Sequence, residues 1–124
     1  MQLTEHRNGR ELFVRHADAD SVIVVDRAFS RSLIISAQQV VENFAARLAT
    51  DIDASAIEAI LALSPEVVLL GTGARATFPP QRVLGEFLRR GIGLETMDNA
   101  AAARTFNVLV GEGRQAVGVF LLPG

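Results

Sequence analysis

A chain of 124 residues, 49% apolar and 21% charged, matches one ordinary globular domain with enough apolar side chain to bury a core. Its net charge of −2 supplies no basic stripe of the kind that a nucleic-acid partner requires. The lack of cysteine excludes a disulfide framework, a thiolate nucleophile and a cysteine-ligated metal, and it suits a reducing, cytoplasmic setting.

The opening residues, Met1-Gln2-Leu3-Thr4-Glu5-His6, lack the charged-then-apolar run of a signal peptide. Apolar runs such as Val67-Val68-Leu69-Leu70 are far too short to cross a bilayer. Any membrane association is therefore expected to pass through a partner, without direct insertion.

In chain order, Glu11 to Arg15 and Ser21 to Val25 are short β-rich runs around the polar Asp18-Ala19-Asp20, which predicts a hairpin. Val22-Ile23-Val24-Val25 shows no polar alternation, so both faces of that strand are expected to be covered. Asp26 to Arg31 reads as a turn and Ser32 to Ser36 as the next strand, giving an antiparallel N-terminal layer of three strands. Val40, Val41, Phe44 and Leu48 recur at helical spacing within Ala37 to Thr50. Asp53 is placed to cap a helix carrying Ile57, Ile60 and Leu61, and Pro65 stops it.

A regular pattern follows. Glu66 to Leu70 is a buried strand ending at Gly71-Thr72-Gly73, and a polar loop leads to Pro79-Pro80, where a helix can start. Val83, Leu84, Phe87 and Leu88 are its expected buried stripe, and Gly91 its terminator after Arg89-Arg90. Gly85, costly inside a helix, predicts a close packing contact. Ile92 to Met97 is the second strand, and Asp98 caps a helix with core positions Ala102, Phe106, Leu109 and Val110. Glu112-Gly113-Arg114 turns into a last strand, Ala116 to Leu122. The whole predicts a single domain over residues 1–124 in the α/β class. It is layered β/β/α, with a central, mainly parallel sheet, helices on one face and the N-terminal antiparallel strands on the other.

Gly71-Thr72-Gly73-Ala74-Arg75-Ala76 satisfies a dinucleotide fingerprint after a strand, with Glu95 downstream as a ribose carboxylate. The mechanism needs the turn to run straight into a helix N-terminus, and Thr77-Phe78-Pro79-Pro80 intervenes. The turn is instead read as one side of a strand-end rim shared with Met97-Asp98-Asn99, since ligands gather at the carboxyl ends of parallel strands. Candidate ligand-binding residues on that rim are Gly71, Thr72, Gly73, Arg75, Asp98, Arg104 and Asn107, with Thr105 nearby. In the structural reading of the same residues, Asp98 is only a cap and Asn107 only an anchor.

His6 and His16 have no acidic partners at metal spacing and read as surface residues. Asp18 and Asp20 lack the glycine and distal glutamate of a calcium loop, and Asp51 and Asp53 flank a helix start. No G-x-S-x-G serine is present. No catalytic residue, cofactor or metal is expected.

The segments Pro65 to Gly73, Gly91 to Asp98, Ala101-Ala102, Arg104-Thr105-Phe106-Asn107 and Glu112-Gly113-Arg114, taken in order, resemble one known family. It is the small domain of unknown function shared by many bacterial and archaeal proteins. It includes the mitochondrial respiratory complex I (NADH dehydrogenase) assembly factor three and an adipogenesis-associated animal relative. The resemblance implies a three-layer α/β fold and no established enzymatic activity. It also implies extended chain carrying Phe44, so Ala37 to Leu48 is expected as strand or loop and the first helix near Asp53. Asn99 stands where relatives commonly have threonine or serine, and Ala103 where many have cysteine. The function so implied is a non-enzymatic interaction or assembly factor for a membrane respiratory complex, with protein partners. The class-distinct alternative is a small-molecule or anion-binding protein, an enzyme among the options, using the Gly71 and Asp98 rim.

Overall fold

The computed structural model describes residues 11–124; His6 lies outside them. The described residues form eight strands, arranged in two sheets, and three α-helices. Strands β1 (Val14–Ala17), β2 (Val22–Val24) and β3 (Arg27–Phe29) form a small antiparallel sheet. The main sheet has the order β5 (Val40–Val41), β4 (Arg31–Ile35), β8 (Ala116–Pro123), β6 (Val67–Gly71), β7 (Gly93–Met97). Within it β8, β6 and β7 run parallel, whereas β4 pairs antiparallel with both β8 and β5.

The helices are α1 (Ala54–Leu61), α2 (Gln81–Arg89) and α3 (Asn99–Gly111). Two of them start where aspartate can hold a free amide. Asp53 Oδ1 accepts from Ala56 N at 2.9 Å, and Asp98 Oδ1 accepts from Ala101 N at 2.7 Å. Each such cap contributes about 1 kcal/mol. Helix α2 has Pro80 at its cap position, which offers no side-chain acceptor for the free amides.

Side chains that alternate along β6 and β8 feed two cores, one on each face of the main sheet. Val67, Leu69, Ala116, Phe120 and Leu122 pack with α3 and the small sheet, around Phe106. Val68, Leu70, Val117, Val119 and Leu121 pack with α1 and α2, around Ile60 and Phe87. Phe87, Phe106 and Phe120 are fully buried, each contributing about 1.5–3 kcal/mol through removal of apolar surface from water.

The α/β class and both kinds of sheet are as expected, but the helices divide between the faces. The cause is chain direction. The crossover from β6 to β7 carries α2 one way, while that from β7 to β8 passes back over β6 and carries α3 the other way. Two right-handed crossovers in opposite directions place their helices on opposite faces. Helix α3 therefore shares its side with the small sheet.

Local expectations also change. Arg27–Phe29 is a strand, not part of a turn, and the strand after it joins the main sheet instead of the N-terminal layer. The real turn is Val25-Asp26, with Val25 exposed at φ 56, an uncommon conformation for a β-branched residue. Leu88, expected in the buried stripe, is 78% exposed, because one residue beyond Phe87 lies about 100° around the helix. Gly85 meets nothing within 4 Å of a notional Cβ, so no close contact explains it. Ala37 to Leu48 holds β5 and irregular chain, and Phe44 N donates to Ser32 O at 2.9 Å. That agrees with extended chain and not with the helical spacing.

Candidate functional site: a cleft at the strand ends

Strand β6 ends against β7 and α3, and the chemistry of the rim follows from how it ends. Thr72 N donates to Met97 O at 3.0 Å, and Asn99 N donates to Gly73 O at 2.9 Å. The Gly71 turn and the Asp98 corner are thus stitched together, as their shared sheet edge requires. Gly73 adopts φ 92, which a side chain would strain. Thr72 Oγ1 donates to Arg75 O at 2.6 Å and accepts from Thr77 N at 2.8 Å, which closes the loop on itself. Helix α2 begins only at Gln81, so the loop does not run straight into the helix that follows it, as a dinucleotide phosphate cradle would need.

The polar centre of the site is Asn99, which is completely buried. Its Oδ1 accepts from Gly73 N at 3.1 Å, while Nδ2 donates to Asp18 O at 3.0 Å and Leu121 O at 3.2 Å. One amide therefore ties the β6 turn, the tip of the β1–β2 hairpin and β8. Gly71 is glycine for the same reason. A Cβ there would lie 2.4 Å from Asn99 Oδ1 and 3.2 Å from the Ala102 Cβ.

Beside this knot opens a cleft of about 560 Å³. Strand β8 contributes Leu121, Leu122 and Pro123, the β6 turn Thr72 and Gly73, and the hairpin tip Ala19 and Asp20. Arg47, Leu48 and Asp51 complete it from the 3₁₀ turn Ala49–Asp51 and the chain before it. The position is the topological switch point. From β6 the chain goes to β7 on one side and later returns to β8 on the other, which leaves a crevice where the two crossovers part. Asp51 is bound into the turn, its Oδ2 accepting from the amides of Arg47 and Leu48, each at 3.0 Å. Those amides, Arg47 first, hold its carboxyl below the usual carboxylate range.

The candidate residues separate into two groups. Gly71, Thr72, Gly73 and Asp98 come together at the rim. Arg75 is exposed on the loop leaving it, with its carbonyl engaged by Thr72. Arg104 and Asn107 sit farther along α3, about 9 and 13 Å from Asp98 at the helical rise. Asn107 is committed elsewhere. Its Oδ1 accepts from Val14 N at 2.9 Å and its Nδ2 donates to Val14 O at 2.8 Å, which binds β1 to α3. Thr105 Oγ1 donates to Ala101 O at 2.9 Å, within the helix.

Sequence reasoning missed Arg47, Leu48, Asp51 and the role of Asn99. The available signal was Asn99 itself, a two-ended amide directly after the cap. Among the described residues, no three His, Cys, Asp or Glu side chains converge on a possible metal site. None of their helices is long and apolar enough to cross a membrane.

Asp18, at the hairpin tip, is the one strongly shifted acid near the cleft. Its carboxyl falls from 3.8 to about 2 because the Asp20 amide, the His16 ring and the Ser21 amide all donate to it. The His16 Nε2 to Asp18 Oδ2 distance is 3.1 Å. Because the folded value is depressed, the interaction is fully present above 3.8 and is lost as pH falls through about 2. A carboxyl NMR titration should show Asp18 with its midpoint at about 2. The Asp20 and Ser21 amides should exchange faster across the same window. A midpoint at the ordinary value would remove the tip hydrogen bonds from solution.

Comparison with known proteins places the chain. A Francisella tularensis protein named 13 kDa major membrane protein is 29% identical over 92% of this chain and 94% of its own length. A Danio rerio protein named NADH dehydrogenase [ubiquinone] 1 alpha subcomplex assembly factor 3 is 38% identical, over 60% of this chain but only 44% of its own length. Among solved structures, a Xanthomonas campestris protein studied by NMR is 38% identical, with a TM-score of 0.84 over 98% of this chain and 92% of its own. The model of a family described as protein of unknown function (DUF498/DUF598) matches residues 14–121. Because that model spans most of the chain, the chain belongs to the DUF498/DUF598 family.

Proposed function

We propose that this protein is a non-enzymatic interaction factor that holds a protein partner at the strand-end cleft. We propose further that it acts from the cytoplasm in assembly of a membrane respiratory complex, a reading supported by the Danio rerio relative, which is named an assembly factor of the NADH dehydrogenase [ubiquinone] 1 alpha subcomplex. One observation carries the first part. Most of the rim's polar groups are already spent inside the chain: the Asn99 amide on three partners, the Thr72 hydroxyl on two, and Asp98 and Asp51 on backbone amides. Beside them Leu48 in the cleft is 64% exposed, and Phe78 in the β6–α2 loop is 71% exposed. Apolar surface edged by self-satisfied polar groups suits a protein contact more than a ligand that must be read by free donors and acceptors.

The second reading is a small anion or other small molecule at the same rim. It is favoured by Arg47, which lines the cleft and forms no ion pair among the described residues.

A photo-crosslinking amino acid at position 48, activated in living cells, separates the two. The expected product is one dominant protein adduct, with loss of assembled NADH dehydrogenase on native gels when the gene is deleted. Leu48→Asp should abolish function while changing stability by less than about 0.5 kcal/mol, as exposed substitutions do. No protein adduct, with normal complex assembly and thermal stabilisation by a small anion that Arg47→Ala removes, would overturn this reading in favour of the second.

A further inference from the structure

A parallel strand turns the N–H and C=O of successive residues to opposite sides. At the edge of the main sheet, β7 pairs among the described residues only with β6. Gly93 N donates to Glu66 O at 3.3 Å and Met97 O accepts from Thr72 N at 3.0 Å, so Gly93, Glu95 and Met97 face β6. Leu94 and Thr96 must then turn their amides and carbonyls to the open side, where no described residue meets them. The chain covers or shortens other edges. The Asn107 amide occupies both backbone groups of Val14 on β1, and β5 is only two residues long. By contrast, β7 pairs over five residues with no shift in register, and it carries neither proline nor lysine to block addition. The one buried side-chain polar atom without a partner among the described residues, Thr96 Oγ1, is on this strand.

We propose that β7 is a strand-addition site for an extended segment of a partner protein bearing lysine or arginine opposite Glu95. Charge selects this occupant over a second copy. The antiparallel self-pairing that bonds Leu94 to Thr96 of the other copy, and the reverse, sets Glu95 against Glu95 at about 4.5 Å between Cα atoms. Like charges directly opposite are destabilising. Glu95 is exposed and forms no ion pair among the described residues, so a cation on the added strand completes the cross-strand pair. This edge acts independently of the strand-end cleft.

The test uses capped peptides of alternating valine and threonine with lysine or glutamate at the centre, added to the isotope-labelled full chain. The lysine peptide should slow hydrogen exchange of the Leu94 and Thr96 amides by about tenfold when nine-tenths of the chain is bound. The glutamate peptide should not. Glu95→Lys should reverse that preference, and Thr96→Pro, which removes an outward N–H, should abolish binding. If the proline variant does not fold, the charge reversal alone decides. No slowing by either peptide, slowing indifferent to the central charge, or protection of the same amides by dimerisation without peptide would each overturn the proposal. Because the crosslink at position 48 reports on a separate surface, failure here leaves the cleft reading standing, and the converse also holds.

Discussion

Gly71→Ala is expected to destabilise the fold by about 2–3 kcal/mol, the scale of overpacking in a well-filled interior. The added Cβ would sit 2.4 Å from Asn99 Oδ1, 3.2 Å from the Ala102 Cβ and 3.3 Å from Asn99 Cα. All three belong to the first turn of α3, and the Ala102 Cβ and Asn99 Cα cannot swing aside as a flexible chain end would. Relief therefore requires α3 to retreat from β6, which loosens the packing around Phe106. Gly85→Ala is the control. Its Cβ meets nothing, and its helical position should make the variant more stable by about 0.5–1 kcal/mol. Urea unfolding measures both, with a shifted midpoint and an unchanged slope marking a change in stability alone. Equal and small effects at the two glycines would mean that the strand end is not tightly packed in solution.

Why the C-terminal half was more legible than the N-terminal half has a physical cause. From Glu66 onward each element announces itself locally. Val67–Leu70 is too apolar for anything but a strand covered on both faces, Asp98 is a cap, and Gly91 takes a positive φ after α2. The N-terminal region is organised by distant partners instead. Arg31–Ile35 becomes central because β8 lies beside it, and Arg27–Phe29 becomes a strand because Val25 accepts a strained turn. No residue type in either run encodes those choices. The face taken by α3 depends on strand order, a long-range property with no signature in periodicity.

The rim was legible as a place and not as chemistry. Gly71, Thr72, Gly73 and Asp98 were found by their position at strand ends, whereas Arg47 and Leu48 reach the cleft from a segment with misleading helical spacing. Proximity in sequence groups Arg104 and Asn107 with the rim. One helical turn more or less decides such membership, and Asn107 proves to serve the edge of β1.

Asn99→Ala should cost about 3 kcal/mol, comparable with Gly71→Ala, although it removes atoms where the other adds them. Its loss leaves the Gly73 amide and the Asp18 and Leu121 carbonyls without their partner, and each unmet buried group is expensive. Exchange of amides at the hairpin tip should speed up first, since Asn99 is what ties Asp18 to the main sheet. Asn99→Asp should be worse than alanine at neutral pH, because a carboxylate faces two carbonyl oxygens, and it should recover as acid protonates it. The two sites must also couple. In the double variant the 2.4 Å contact has disappeared with Asn99 Oδ1, leaving the milder approach to the Ala102 Cβ at 3.2 Å. The combined cost should therefore fall short of the sum by about 1–2 kcal/mol. Simple additivity would show that Gly71 is required by something other than Asn99. A deficit of that size would establish the pair as one device, a glycine that makes room for an amide, with the cleft held open beside it.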